Sequence, residues 1–201
     1  MTLREAKRRE TAHALAQSAF DLALERGVDG FTIDEVAARA GYSRRTFANH
    51  YAGKEQAIVG VAAERVRQAL DSTPDDDLPL VDWLRVVART QLTGGLLRVL
   101  RELHHLAEAH PPLRPHLLEV QRSIRESARE AALTRVDGPK GRINAHLLVG
   151  AAYGALTCVL EGHIPVRLPE SPAGAAESDE GGEMALEDFV DLTFTRLREG
   201  F

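Results

Sequence analysis

Apolar residues recur at helical intervals along most of the chain, and the shortest instance is also the most sharply bounded. Ile33, Val36, Ala37 and Ala40 fall at i, i+3, i+4 and i+7, one face of a helix about two turns long, and that face must be buried. Thr32 is placed to cap this helix, and Glu35 at its third position can reach back to the Thr32 amide while the Thr32 hydroxyl takes the Glu35 amide. Gly41 follows the last apolar residue, where a left-handed conformation costs glycine little, so the helix stops there. Ser43 can then cap a second helix, in which Phe47 and Tyr51 stand four apart and face inward. Arg44, Arg45, Thr46, Asn49 and His50 are left for the outside.

The same periodicity predicts about nine helices and an all-α fold. Residues 3–26 form a long helix with Leu15, Ala16, Ala19, Phe20, Ala23 and Leu24 as its stripe, ended by Gly27. Residues 54–70 carry Ile58, Val61, Ala62 and Val66 in register, and residues 80–92 carry Val81, Leu84, Val87 and Ala88. Residues 72–79, with Pro74, three aspartates and Pro79, break the pattern as a loop. Gly94 and Gly95 separate the helix of 80–92 from that of 96–109, which Pro111 and Pro112 stop. A charge-dense helix at 113–136 is followed by a turn at Asp137, Gly138, Pro139 and Gly141. Residues 142–161 are markedly apolar, 166–183 predict a mobile acidic loop, and 184–198 form the last helix.

Composition changes this picture in two places. Of 201 residues, 44% are hydrophobic, enough to bury a core in one or two domains. The net charge of −5 argues at first against nucleic acid, but residues 1–54 are net +2 and the remainder net −7. A small basic end on an acidic body suits a DNA-binding domain attached to a larger domain with another task. The single cysteine, Cys158, excludes an intramolecular disulfide and suits a small core residue. No stretch reads as a membrane-spanning helix and no apolar leader opens the chain, so the expected location is the cytoplasm.

The outward residues of the second helix are the chemistry of a recognition helix. Arginine grips guanine O6 and N7 with two bonds, asparagine pairs with adenine N6 and N7, and hydroxyls or lysine hold phosphates. Two short helices joined by a glycine turn form a helix-turn-helix. The competing reading is two amphipathic helices of an ordinary core with a solvated basic face. At this point TIDEVAARAGYS, RTFANHY and GKEQAI, in that order and spacing, resemble the DNA-binding domain of the tetracycline-repressor family over about the first 60 residues. The resemblance implies a three-helix DNA-binding domain at 1–54 and a helical ligand-binding and dimerisation domain at 55–201. It implies that Thr32, His50 and Lys54 hold phosphates, that Arg44, Arg45, Thr46 and Asn49 face the groove, and that Ser43 and Tyr51 belong to the contact set. Ala48 departs from the family, where a tyrosine hydroxyl often grips the backbone, so that one phosphate anchor is absent or is supplied by Asn49 or Tyr51.

For the C-terminal part the resemblance implies an inducer cavity, for which Trp83, Leu103, His104, Leu118, Gln121, Leu148 and Tyr153 are the candidates. Trp83, the sole tryptophan, suits a core or interface position as well. His104 and Glu108 are four apart, but there is no HExxH order and His105 points about a hundred degrees from His104 on a helix, so neither metal nor cofactor is expected. Two apolar helices divided by a loop suggest a four-helix dimer interface through Leu147, Gly150, Ala151, Gly154, Ala155, Val190, Phe194 and Leu197, with completion of a monomeric core as the alternative. No nucleophile and base stand at telling spacing, so no catalytic residue is expected. The expected function is a homodimeric transcriptional regulator, a repressor released from a palindromic operator by a small molecule. The alternative is a helical ligand- or protein-binding module whose DNA affinity is weak or lost.

Overall fold

The computed structural model describes residues 2–72, 77–93, 95–167 and 183–200. Among them are nine α-helices: α1 (Leu3–Arg26), α2 (Ile33–Arg39), α3 (Arg44–Ala48), α4 (Lys54–Ser72), α5 (Leu80–Thr93), α6 (Leu96–Ala109), α7 (Leu113–Leu133), α8 (Gly138–Leu160) and α9 (Leu186–Glu199), with a 3-10 turn at Val28–Gly30. The fold is all-α. Most of the two predicted loops, Gly94 and Phe201 lie outside the described residues.

The chain divides into two compact units, Met1–Arg67 with Val99–Ser123, and Gln68–Arg98 with Ile124–Phe201. The sequence placed the division after residue 54; here the first 14 residues of α4, most of α6 and the first half of α7 group with the helix-turn-helix.

In the first unit α1 supplies the floor. Leu15, Ala16, Ala19, Phe20, Leu22 and Ala23 are buried, together with Val36 and Ala37 of α2, Phe47 of α3 and Ile58, Val61 and Ala62 of α4. Leu24, expected in the stripe, is exposed, and Leu22 is buried in its stead. Two positions along a helix are about 200° apart, so only one of this pair can face the core. A capping box also opens α1: the Thr2 hydroxyl accepts from the Glu5 amide at 3.3 Å and Glu5 accepts from the Thr2 amide at 2.8 Å.

In the second unit α5, α8 and α9 pack around Trp83, Leu84, Val87, Val149, Val159, Phe189, Val190 and Phe194. Ion pairs fasten α5 to α9, Arg85 to Asp191 at 2.7 Å and Arg198 to Asp82. The Arg135 guanidinium stands 4.5 Å from the centre of the Trp83 ring. A two-residue parallel pairing, β1 (Val166–Arg167) with β2 (Met184–Ala185), closes the base of the segment between α8 and α9. The periodicity gave no sign of it, because a two-residue strand has no period to detect.

α8 begins four residues earlier than predicted. Pro139 sits in its first turn, where the missing N–H costs nothing because that donor has no helical partner anyway. The Gly-Pro signal read as a turn is a helix start. Counted from Gly138, α8 is also long and apolar enough, by length and composition alone, to cross a membrane, contrary to the expectation that no stretch is. Few of its residues are buried: Ala145, Val149 and Val159 face the core, while Ile143 and Leu147 are exposed at 57% and 66%.

Candidate nucleic-acid interface

Local chemistry fixes α2 and α3 before any contact between them is counted. The Thr32–Glu35 capping box forms as expected, with Thr32 N–H donating to Glu35 at 2.8 Å and the Glu35 amide donating to the Thr32 hydroxyl at 3.3 Å. Bonds from the Thr32 amide and hydroxyl and from Arg26 hold the Glu35 carboxyl below its ordinary range. Gly41 turns the chain at φ +76°, and Tyr42 N–H donates back to Ala37 at 2.8 Å, which is how a helix C-terminus is closed by a left-handed residue. Ser43 then caps α3, its hydroxyl accepting from the Thr46 amide at 3.1 Å.

Phe47 is the anchor of α3. It is 1% exposed and its ring meets that of Tyr51 with centroids 5.9 Å apart. With Phe47 inward, helical rotation leaves Ser43, Arg44, Arg45, Ala48 and Asn49 exposed, and Thr46 partly so. Arg44 leans on Asp34 of α2 at 3.0 Å, an ion pair exposed on both sides and therefore worth little and easily exchanged for a phosphate or a base. Arg39 and Arg26 are paired with Glu25 and Glu35, which leaves Arg44, Arg45 and Asn49 as the polar groups presented outward by α3.

Two residues of the expected contact set turn inward. The Tyr51 hydroxyl donates to the Ala12 carbonyl at 2.9 Å and burial raises its pKa, so it cannot stand in for the phosphate-gripping hydroxyl that Ala48 lacks. Lys54 donates to the Val28 carbonyl at 2.7 Å and to that of Phe31 at 3.4 Å, lying over the Phe31 ring, so its ammonium joins α4 to the turn after α1. Gly60, which no sequence signal marked, explains how Tyr51 packs there: a Cβ at Gly60 would come within 3.0 Å of the Tyr51 ring.

His50 stands between these groups. Burial is the main cause lowering its pKa, Arg8 adds to it, and Glu64 opposes. With Asn49 it borders an open basin of about 740 Å³ whose other wall is the start of α1, including Arg4, Lys7 and Arg8. The basic first turns of α1 therefore face the same basin as the C-terminal end of α3. In a second pocket, which Arg8 and His50 also border, the Glu64 carboxylate, almost fully buried, is held by both oxygens to Arg67 at 2.8 and 2.9 Å.

The seven candidate cavity residues are divided between the units. In the first, Leu103 is buried, Leu118 is exposed, and the His104 Nδ1–H donates to Leu100 at 2.7 Å, which leaves Nε2 to accept from the Gln121 amide at 3.5 Å. In the second, Trp83 belongs to the core, Leu148 packs against it, and Tyr153 borders a partly open cavity lined by α5, α8 and α9. Of the candidate dimer residues, Leu147, Gly150, Ala151 and Gly154 are exposed on α8 and Ala155 partly so; Leu197 is half-buried, while Val190 and Phe194 lie inside the unit's own core.

Residues 15–58 match the sequence profile of bacterial regulatory proteins of the tetR family. No curated protein matches the chain in sequence. Among solved structures, a transcriptional regulator from Rhodococcus sp. Rha1 is similar at a TM-score of 0.52 and 20% identity, over 94% of this chain and 96% of that one. The fatty acid degradation regulator FadR from Bacillus halodurans gives 0.51 and 13%, over 95% and 96%. The multidrug binding protein EbrR, solved with imidazole, gives 0.51 and 21%, over 92% and 93%. At these identities the three structures speak for the fold from end to end, and the profile speaks for the helix-turn-helix. Residues 15–58 thus carry the sequence pattern of bacterial regulatory proteins of the tetR family, on a chain whose fold is similar to those of these solved structures.

Proposed function

We propose that the protein is a homodimeric transcriptional repressor of the cytoplasm that binds a roughly palindromic operator through α3 and leaves it when a small molecule binds the C-terminal part. The observation that carries this reading is the outward face of α3. Phe47 and Tyr51 fix its rotation from beneath, and Arg44, Arg45 and Asn49 are presented together as groups suited to base edges. Thr32 and Ser43 cap their helices with their hydroxyls and remain exposed, positions from which a phosphate can be met. The basic start of α1 supplies further charge beside His50. An inducer must prefer the dimer whose recognition helices are wrongly spaced, and it then lowers DNA affinity by the factor that DNA lowers its own.

Fluorescence anisotropy on the fragment upstream of the protein's own gene, against a shuffled duplex and across a salt series, tests the reading. Preference for the upstream fragment by about a thousandfold or more, with a steep salt dependence, is the expected result. Weak and equal binding to that fragment and to a random-sequence library would leave a ligand- or partner-binding module whose helix-turn-helix no longer reads DNA.

A further inference from the structure

The second unit holds a partly open pocket of about 60 Å³ lined by α5, α8 and α9. Its walls are chiefly apolar, with Leu92, Leu156, Phe189 and Phe194 among them, and among the described residues no acidic or basic side chain lines it. No lining side chain offers an ion a counter-charge, although the Arg125 charge is felt at Tyr153, and desolvating an ion there would be costly. Three polar side chains break the apolar surface. The Thr193 hydroxyl is already spent on the Phe189 carbonyl at 2.8 Å. The Gln91 amide nitrogen is buried with no hydrogen-bond partner. The Tyr153 hydroxyl, which burial keeps protonated, is the third. A buried donor left without a bond keeps its desolvation penalty uncompensated, so an occupant that supplies an acceptor is favoured over an empty cavity.

We propose that this cavity is a small-molecule site for a compact, neutral, apolar compound bearing one carbonyl oxygen, which accepts from the Gln91 amide. The volume corresponds to about two molecules of liquid water, so the enclosed part of the ligand is a short branched or cyclic group of a few carbons. This deepens the repressor reading, on which its role as an inducer site rests, by naming the ligand class. Binding is measured without DNA, so its failure leaves the DNA reading standing, and failure of DNA binding leaves the site standing.

The test is ligand-observed NMR on the full chain with cyclopentanone against methylenecyclopentane, which has the same ring and a CH₂ in place of the oxygen. Cyclopentanone is expected to bind with a Kd in the millimolar range, about tenfold tighter than the alkene, the worth of one hydrogen bond. Gln91→Met, close in shape and without the amide, should bring the two probes to parity while alkene binding persists. Ala88→Leu, which fills the cavity from α5, should remove both. Thermal unfolding of each variant establishes that it is folded. No binding of either probe, parity in the unaltered protein, a preference that survives in Gln91→Met, or binding that survives in Ala88→Leu would each overturn the proposal.

Discussion

Lys54 shows what a motif position conceals about its side chain. The position matches the family pattern, and a lysine at a helix start near DNA reads naturally as a phosphate contact. Here its ammonium donates to the Val28 and Phe31 carbonyls, two bonds that close the turn between α1 and α2. Lys54→Met should therefore cost about 1 to 2 kcal/mol of stability, seen as a lower urea midpoint at unchanged slope. The salt dependence of DNA binding should hardly change. A salt slope shallower by about one unit with stability intact would instead make Lys54 a phosphate ligand. Tyr51 was equally opaque in the sequence: its spacing from Phe47 declared the inward face, but only packing on Gly60 shows that the hydroxyl goes in with the ring.

His50 carries the pH dependence at this scale. Its pKa is lowered in the folded chain by burial first and Arg8 second, so the native state takes up the proton less readily than the unfolded one. Its contribution to stability is complete above the unfolded value of about 6.5 and is lost as pH falls through the folded value. A DNA phosphate beside the ring pulls the other way, because it favours the imidazolium. If His50 holds a phosphate, operator affinity at constant ionic strength should rise between pH 7.5 and 6 more steeply in the unaltered protein than in His50→Gln. Parallel pH profiles would remove His50 from the contact set.

Helix boundaries were legible where the signal was a cap and obscure where a proline or glycine had two meanings. Thr32 with Glu35, Gly41 and Ser43 define α2 and α3 in the sequence and in the structure alike, because each acts through backbone groups within three or four residues. Gly138-Pro139 reads as a turn and is a helix start, and the difference reassigns four residues to α8. The exposed side of α8 matters more. Ile143, Leu147, Gly150, Ala151 and Gly154 are uncovered on one helix, whereas Val190 and Phe194, grouped with them by periodicity, fill the unit's own core. Periodicity finds an apolar face but not which of two neighbours covers it. The two sets should thus respond differently. Leu147→Glu should dissociate the dimer in light scattering with its unfolding midpoint measured as monomer little changed, whereas Phe194→Ala should cost about 3 to 5 kcal/mol of folding stability. A Leu147→Glu protein that remains dimeric would move the interface off this face.

For the whole molecule, the all-α class and the helix-turn-helix near the N-terminus followed from local patterns, since capping and helical period need no partner. The grouping of α6 and half of α7 with the N-terminal helices did not, because unit membership depends on contacts between distant segments. Nor did the cavity of the second unit, whose walls come from three helices spread over about a hundred residues of sequence. Symmetry supplies the remaining consequence. A helix-turn-helix as small as this one presents few base-reading groups, Arg44, Arg45 and Asn49 with their neighbours, and a single copy cannot discriminate far above the non-specific background. Two copies can, provided both recognition helices meet one face of the duplex, with half-sites about 34 to 36 Å apart or a multiple of that. Inserting five base pairs at the centre of the operator turns one half-site to the far side of the helix. Affinity by anisotropy should then fall about a hundredfold or more, within the gap that separates specific from non-specific sites. In Leu147→Glu, which binds as single copies, the same insertion should change almost nothing. Equal affinity for the two operators in the unaltered protein would mean that its half-sites are read independently, and the dimer would then have no part in recognition.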